Sequence, residues 1–357
     1  MAHRNRKNFL QWLAGRRTLL LGCIIGMVAV VGVFTLYRHF VRPPVRHQES
    51  VVFNIRESAD SDKVIARKGI FIKRPGARAT VLICHGFMCN KHDVSFLRAI
   101  FSDYNIFIFD FRAHGELTQG QCCSFGYNEM YDVLGAVDFI RTDRHVGKLP
   151  VFAYGFSMGA AAAIMAQEKD PNLFDGLVLD CPFDSSDGII DRGLNNIKIR
   201  FFGHEYFLPG RWILRRYAYS SWVQSILKMI MRTTVKLDTR RINTCVHQIS
   251  PVKAAQNIAR PCLFITCKND VKAPAHAVKA VYDGVKGYKR LWVTNGRRHF
   301  DSFFYNPDRY TGVVQRFIRE VLDGKIKRKD VEKIVHDFEE DEMVSIQGTR
   351  ADPCEQL

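Results

Sequence analysis

The sequence has little acidic charge to balance its bases, and it lacks the modules that read nucleic acid. It contains 36 Asp and Glu against 52 Lys and Arg, a formal charge of +16 over 357 residues. Such an excess favours nucleic acid, an anionic membrane surface or an acidic substrate. There is no zinc-finger spacing, RNP-like aromatic motif or isolated helix-turn-helix unit, and the bases are scattered. No nucleic-acid partner is therefore expected.

Charge is missing altogether from residues 18–37, which read TLLLGCIIGMVAVVGVFTLY. Twenty such residues can cross a bilayer as one helix, whereas a buried core helix seldom stays uncharged over five turns. No small-x-small cleavage site follows, which favours a signal-anchor over a cleaved signal peptide. More bases precede the stretch than follow it, so we predict a single-pass membrane protein with its body on the non-cytoplasmic side. The pair Arg16–Arg17 leaves twin-arginine export open.

The ten cysteines lack metal-ligand spacing. Cys84 and Cys262 lie inside apolar runs, where buried and inert thiols are expected. The adjacent pair Cys122–Cys123 and the lone Cys354 do not resemble a disulfide framework. This usage favours a reducing compartment, which is in tension with a body outside the cytoplasm.

Composition divides the chain into a basic segment (1–17), the anchor (18–37), a linker (38–50), a body (51–324) and a charged tail (325–357). The tail is expected to fray in solvent. Residues 51–56 and 68–73 predict paired early strands. Further apolar runs alternate with helical spacing and predict strands at 80–84, 105–110, 150–155, 176–180, 261–266 and 290–294. This alternation predicts an α/β fold with a mostly parallel central sheet flanked by helices.

One connection interrupts that rhythm. Residues 185–250 separate two consecutive predicted strands by more than sixty residues and are rich in aromatic and basic side chains. Connections of this length are usually functional, so we predict a helical cap insertion over the active edge of the sheet. The tail and the insertion show no internal repeat.

The strongest local motif is Gly155-Phe-Ser157-Met-Gly159, which stands directly after a predicted strand and before an Ala-rich helix. Glycines on both sides of the serine relieve crowding in a sharp strand-to-helix turn. Such a turn exposes the hydroxyl of Ser157 at the helix N-terminus. The motif predicts a nucleophile elbow.

A serine becomes nucleophilic only when a base takes its proton, and that base needs a carboxylate to orient it. Asp270 and His299 follow Ser157 in the chain, and each lies just beyond the end of a predicted strand. Sites in open α/β sheets assemble at this edge. Four residues remain alternatives for these roles, two as the acid and two as the base: Asp180, Asp184, His276 and His247.

An acyl-transfer site also needs two N–H groups to stabilise the developing oxyanion. The backbone amides of Phe87 and Met158 are the candidates, because one follows a predicted strand and the other follows the serine. Gly86 allows the chain to turn back. His85 is expected to brace this loop rather than to act as a base.

These features together resemble the α/β-hydrolase superfamily, in particular bacterial membrane-anchored hydrolases and the α/β-hydrolase-domain proteins. The resemblance runs from about residue 80 to 322 outside the insertion and rests on the HGF, DFRAHG, GFSMG, DCPF, ISP, ND and HF segments. It implies an α/β-hydrolase fold and a serine hydrolase without metal or cofactor, with a triad of Ser157, Asp270 and His299. Arg298 stands where the family often has a small residue, and this difference bears on the substrate class.

The sequence therefore predicts hydrolysis of a carboxylic ester or thioester through an acyl-enzyme. The basic, aromatic insertion and the predicted anchor suggest a small-molecule or lipid acyl substrate and a membrane partner. Two alternatives stay open. One is a serine peptidase of the same fold, and the other is a non-catalytic membrane-anchored binding protein.

Overall fold

The computed structural model describes residues 47–202, 204–234, 242–326 and 332–336. Within these ranges no helix has the length and apolar character needed to cross a bilayer. The predicted basic segment (1–17) and anchor (18–37) lie outside them. The first strand begins at His47, so residues 47–50 belong to the body and not to the predicted linker.

The described strands are β1 His47–Ser58, β2 Ser61–Lys73, β3 Thr80–Cys84, β4 Asn105–Phe109, β5 Val151–Phe156, β6 Gly176–Asp180, β7 Lys198–Phe201, β8 His204–Phe207, β9 Cys262–Cys267, β10 Lys289–Thr294 and β11 Glu332–His336. The helices are α1 Glu129–Thr142, α2 Met158–Lys169, α3 Ser186–Asn196, α4 Arg211–Arg216, α5 Ser221–Thr234, α6 Pro251–Ala255, α7 Ala275–Gly284, α8 Ser302–Tyr305 and α9 Pro307–Leu322, with a 3₁₀ turn at Ser95–Ala99.

Among the described residues, nine strands form one sheet in the order β1-β2-β4-β3-β5-β6-β9-β10-β11. The predicted pairing of the first two strands is confirmed, because β1 and β2 form an antiparallel hairpin. β2 pairs antiparallel with β4, and all later pairs are parallel. The prediction of a mostly parallel sheet is therefore confirmed.

The central strands are buried along their whole length, which explains why they read as continuous apolar runs. Every residue of β3, β4, β5 and β6 is buried. When helices cover both faces of a parallel sheet, neither face contacts solvent, so neither face requires polar side chains. Helix α2 packs closely on the sheet, and its small residues 160–163 are fully buried. Helix α9 instead buries one stripe, with Tyr310, Val314, Phe317 and Ile318 at helical spacing.

The insertion between β6 and β9 contains α3, the β7–β8 hairpin, α4 and α5. Its C-terminal root is tied to the body. Cys123 and Thr244 form a parallel bridge, and Cys122 and Cys245 form a disulfide. The pair Cys122–Cys123 did not resemble a disulfide framework in the sequence, yet Cys122 forms a disulfide, because a partner 123 residues away leaves no local sequence pattern.

The predicted tail also contains structure. Residues 332–336 form β11, which pairs in parallel with β10 at the edge of the sheet. The edge of β10 supplies the backbone partners for this strand, from Lys289 paired with Glu332 to Val293 paired with His336. The expectation of a tail that frays from residue 325 was therefore wrong for this segment.

Candidate active site

Ser157 occupies a strained turn between β5 and α2. Its φ of 51° and ψ of −119° are unfavourable for a residue with a side chain. A Cβ on Gly155 would lie 2.7 Å from the carbonyl oxygen of Gly159, and a Cβ on Gly159 would collide with the carbonyl of Cys84. Only glycine fits at both positions. Ser157 is partly exposed although its neighbours in the turn are buried, so its hydroxyl lies open at the start of α2.

His299 and Asp270 form a pair beyond the ends of β10 and β9. The Nδ1 atom of His299 lies 2.7 Å from Oδ2 of Asp270. The other carboxylate oxygen, Oδ1, accepts hydrogen bonds from the amides of Lys272 and Ala273 at 2.8 and 2.9 Å. A carboxylate can only accept, so Nδ1 donates, and in the neutral ring Nε2 is the nitrogen with the lone pair. Asp270 thus fixes both the tautomer and the orientation of the ring.

The backbone segments that carry Ser157 and His299 lie side by side. Phe156 precedes the serine, Phe300 follows the histidine, and their rings stack with centroids 4.0 Å apart. Cys181 lies between the two segments, since its Sγ is 3.9 Å from Nε2 of His299 and the residue before it, Asp180, accepts the amide of Ser157 at 2.9 Å. Among the described residues no hydrogen bond joins the Ser157 hydroxyl to Nε2. Such bonds often tighten only when substrate binds.

The two candidate oxyanion donors are unengaged. In the described ranges, neither the amide of Phe87 nor that of Met158 donates a hydrogen bond to another protein group. The Phe87 loop packs tightly under the elbow, because a Cβ on Gly86 would lie 2.5 Å from the Phe156 ring. The ring of Phe87 in turn lies 4.7 Å from that of Phe125.

Two neutral imidazoles hold this loop. His85 donates from Nδ1 to the carbonyl of Gly86 at 2.7 Å, and its Nε2 accepts the amide of Phe111 at 3.0 Å. His114 accepts the amide of Met88 at 3.1 Å. Burial lowers the pKa of His85 well below its usual value and also lowers the pKa of His114. His85 thus lies where a bracing residue was expected.

The alternative acids and bases have other partners. Asp180 accepts a hydrogen bond from Tyr310 at 2.7 Å, and burial raises its pKa to about 7. Asp184 pairs with Arg192 at 2.8 Å. The rings of His247 and Tyr127 stack 4.6 Å apart. His276 lies in the first turn of α7, whereas His299 is the histidine that meets Asp270.

Sequence reasoning missed the residue that links these groups, Cys181. It directly follows β6, so the rule that predicted Asp270 and His299 at the carboxyl edge applies to it equally. Its φ of 41° is unusual for a residue other than glycine. The amide of Cys181 is anchored to the carbonyl of Ile265 at 2.8 Å. A triad uses hydroxyl, imidazole and carboxylate groups, so its chemistry did not predict a thiol at this position.

A mostly parallel sheet with a serine elbow after its fifth strand and an acid and a histidine after later strands defines an α/β-hydrolase. The chain belongs to the hydrolase family described as Serine aminopeptidase, S33, which it matches over residues 75–300. It is 27% identical to the uncharacterized protein YqkD of Bacillus subtilis over 261 residues, 72% of this chain and 76% of that protein.

Solved structures share the fold at low sequence identity. The Pyrococcus furiosus esterase Pf2001 is 21% identical with a TM-score of 0.55, over 77% of this chain and 93% of the esterase. The peroxisomal alpha-beta-hydrolase Lpx1 of Saccharomyces cerevisiae is 13% identical with a TM-score of 0.53, over 79% of this chain and 91% of Lpx1. These likenesses confirm the predicted α/β-hydrolase fold, and the family match confirms the hydrolase class.

Proposed function

We propose that this hydrolase cleaves a carboxylic ester or thioester with Ser157 as nucleophile, His299 as base and Asp270 as the orienting acid. One observation carries the proposal. The strained elbow carries Ser157, and the ring of Phe156 next to it stacks on Phe300, which follows a histidine whose Nδ1 lies 2.7 Å from a buried carboxylate. In the neutral ring this contact leaves Nε2 as the basic nitrogen. This is the arrangement that an alcohol needs to become reactive.

In the proposed mechanism the Ser157 oxygen attacks the acyl carbonyl while Nε2 of His299 takes its proton. The negative charge that develops on the carbonyl oxygen is stabilised by the amides of Phe87 and Met158. His299 then returns the proton to the leaving alcohol or thiol, and an acyl-enzyme remains. Water, activated by the same imidazole, releases the acid.

The insertion supports an amphiphilic acyl substrate, such as a lipid or an acylated protein. Phe202, Trp212 and Trp222 expose 88%, 70% and 51% of their surface. Between residues 198 and 234 seven Lys and Arg stand against one Glu. Exposed aromatics beside bases suit the boundary between an acyl chain and an anionic headgroup.

A peptidase is the second candidate, because the family carries the description Serine aminopeptidase, S33. Such an enzyme must bind the ammonium group of a peptide N-terminus, which calls for an unpaired carboxylate near the nucleophile. Of the acids near the site, Asp270 is paired with His299, Asp184 is paired with Arg192, and Asp180 is fully buried against Tyr310. The basic insertion also disfavours a cationic substrate.

A substrate panel separates these candidates. We expect Ser157-dependent release of p-nitrophenol from p-nitrophenyl esters and of thiol from acyl-thioesters, and little release from aminoacyl arylamides. Arylamide turnover above ester turnover would favour the peptidase. An absence of turnover on every substrate, in the wild type as in Ser157→Ala, would indicate a non-catalytic binding protein.

We also propose that the protein is anchored in a membrane by residues 18–37 with its body on the non-cytoplasmic side. The disulfide between Cys122 and Cys245 supports this side, since disulfides persist in oxidising compartments. Proteolysis of sealed membranes tests the topology. Protease added outside intact spheroplasts or right-side-out vesicles should digest the body. Protection of the body in these preparations would contradict the proposal.

A further inference from the structure

Beside the proposed nucleophile lies a donor set that includes a thiol, that of Cys181, which the hydrolytic mechanism does not use. The thiol of Cys181 and the ring of His299 lie together, and the ligand atoms of Cys181, His299 and Asp270 all fall within 4.8 Å of one another. Cys181 is fully buried and His299 is partly exposed, so the cluster opens toward solvent on the imidazole side.

We propose that Cys181 and His299 form an inhibitory site for a thiophilic divalent cation, with Zn²⁺ as the reference ion. The inhibitory consequence rests on the proposed function, whereas the binding of the cation does not. The site differs from a catalytic metal centre, because here the cation occupies the nitrogen that must accept the proton of Ser157.

The geometry fits a zinc ion. With Zn–S of about 2.3 Å and Zn–N of about 2.1 Å, a tetrahedral ion holds sulfur and nitrogen about 3.6 Å apart. The observed separation of Sγ and Nε2 is 3.9 Å, so a small rotation of either side chain closes the site. The remaining positions are left to water or to the Ser157 hydroxyl.

The outer partner of the ligand histidine is already present. Metal-binding histidines usually donate their other N–H to a carboxylate, which fixes the ring and makes the free nitrogen more basic. Asp270 performs this role with Oδ2 at 2.7 Å from Nδ1, and its other oxygen, Oδ1, accepts from two backbone amides. The pair that orients a general base therefore also orients a metal ligand.

The choice of ion follows from the donors. Thiolate and imidazole select Zn²⁺ and similar ions over Mg²⁺ and Ca²⁺, which prefer oxygen. Burial raises the pKa of the Cys181 thiol, so the free protein carries the neutral S–H group. Binding forms a bond from the cation to Sγ and another to Nε2, and releases the thiol proton to water.

Two measurements test the site independently. Co²⁺ titration of the purified full chain should produce the charge-transfer absorption of a thiolate ligand, and Zn²⁺ should abolish it by competition. In parallel, Zn²⁺ should inhibit ester hydrolysis, and a chelator should restore the metal-free rate. The cobalt band needs no hydrolytic activity, so it reports on the site even if the proposed function fails.

The variants Cys181→Ala and Cys181→Ser should lose the cobalt band and raise the Zn²⁺ concentration for half-inhibition by about tenfold or more, relative to each variant's own metal-free rate. His299→Ala should also lose the band. Cys267→Ala and His276→Ala are the matched controls, and both should behave like the wild type. A band that survives without Cys181, or zinc inhibition that is equal in Cys181→Ala and wild type, would overturn the proposal.

Discussion

At the scale of single residues, the proposed triad was predictable because its chemistry restricts residue type and its fold restricts order. A serine between glycines after a strand, followed by an acid and a histidine after later strands, leaves few arrangements. The sequence favoured Asp270 as the acid and left Asp180 as an alternative, since both follow strands. Their surroundings distinguish them, because Asp270 meets His299 whereas Asp180 is buried against Tyr310.

Asp180 gives a prediction about stability. Its pKa is raised to about 7, so between pH 4 and pH 7 the folded protein holds a proton that the unfolded chain has released. Its contribution to stability therefore falls as pH rises through this window and stays unfavourable above it. Asp180→Asn keeps an oxygen that can accept from Tyr310. It should stabilise the protein at pH 8 by on the order of 2 kcal/mol, with no gain at pH 4.

The difference in unfolding free energy between variant and wild type, measured across pH in denaturant, checks this expectation. Taking the difference cancels the opposite effect of buried His85 and His114, which destabilise the fold as pH falls below about 6.5. Asp62→Asn is the control, because that side chain is fully exposed. A constant difference at all pH values would show that Asp180 does not titrate in this window.

At the scale of elements, the buried central strands of the body were predictable to within one residue, because burial dictates their pattern. β3 and β6 have the predicted bounds, whereas β1 and β2 begin four and seven residues before the predicted strands. The elements that were missed depend on distant partners. β11 forms because β10 offers a free edge, and the link from Cys122 to Cys245 joins segments that are far apart in sequence.

This disulfide gives the second prediction. It ties the root of the insertion to the loop that holds Cys123, whose sulfur lies 3.4 Å from that of Met158. Because it closes a loop of more than 100 residues, removing it with Cys122→Ser and Cys245→Ser should cost on the order of 2–4 kcal/mol of unfolding free energy. Thermal unfolding with and without reductant measures the effect.

Reductant should lower the melting temperature of the wild type and leave that of the double variant unchanged. This comparison separates the disulfide from the effect of two serine side chains. Equal melting temperatures for wild type with and without reductant, once alkylation has shown the bond to be reduced, would mean that the link does not stabilise the fold.

At the scale of the whole molecule, the mostly parallel sheet followed from alternating strands and helices, and the hydrolase class followed from the motifs at the ends of those strands. Substrate and membrane placement did not follow in the same way. They depend on the charge of +16 and on exposed aromatics in the insertion, and these features suit several anionic amphiphiles. The fold therefore places the proposed reaction at the carboxyl edge of the sheet, whereas the identity of the acyl group does not follow from the fold.

The molecule as a whole should prefer anionic interfaces. Replacing Phe202, Trp212 and Trp222 by alanine should lower the rate on a long-chain ester in anionic mixed micelles by about tenfold, because exposed apolar area no longer enters the interface. The rate on p-nitrophenyl acetate should change little. Added salt should lower the micellar rate of the wild type, since screening weakens attraction to the anionic surface.

Val52→Ala and Val64→Ala are the control, because these exposed side chains lie on the β1–β2 hairpin far along the chain from the insertion. They should leave both rates unchanged. Wild-type activity on short esters together with none on micellar long-chain esters would contradict the proposed lipid substrate. An equal loss on both substrates in the aromatic variant would indicate damage to the fold.

The central claim is that Ser157 is activated by His299, and covalent trapping tests it most directly. Brief incubation with an alkyl fluorophosphonate, followed by intact mass and peptide mapping, should reveal one phosphonyl group on Ser157. His299→Ala should slow this labelling by at least about a thousandfold, since the base is lost. No adduct, an adduct on another serine, or equal labelling rates in wild type and His299→Ala would contradict the account.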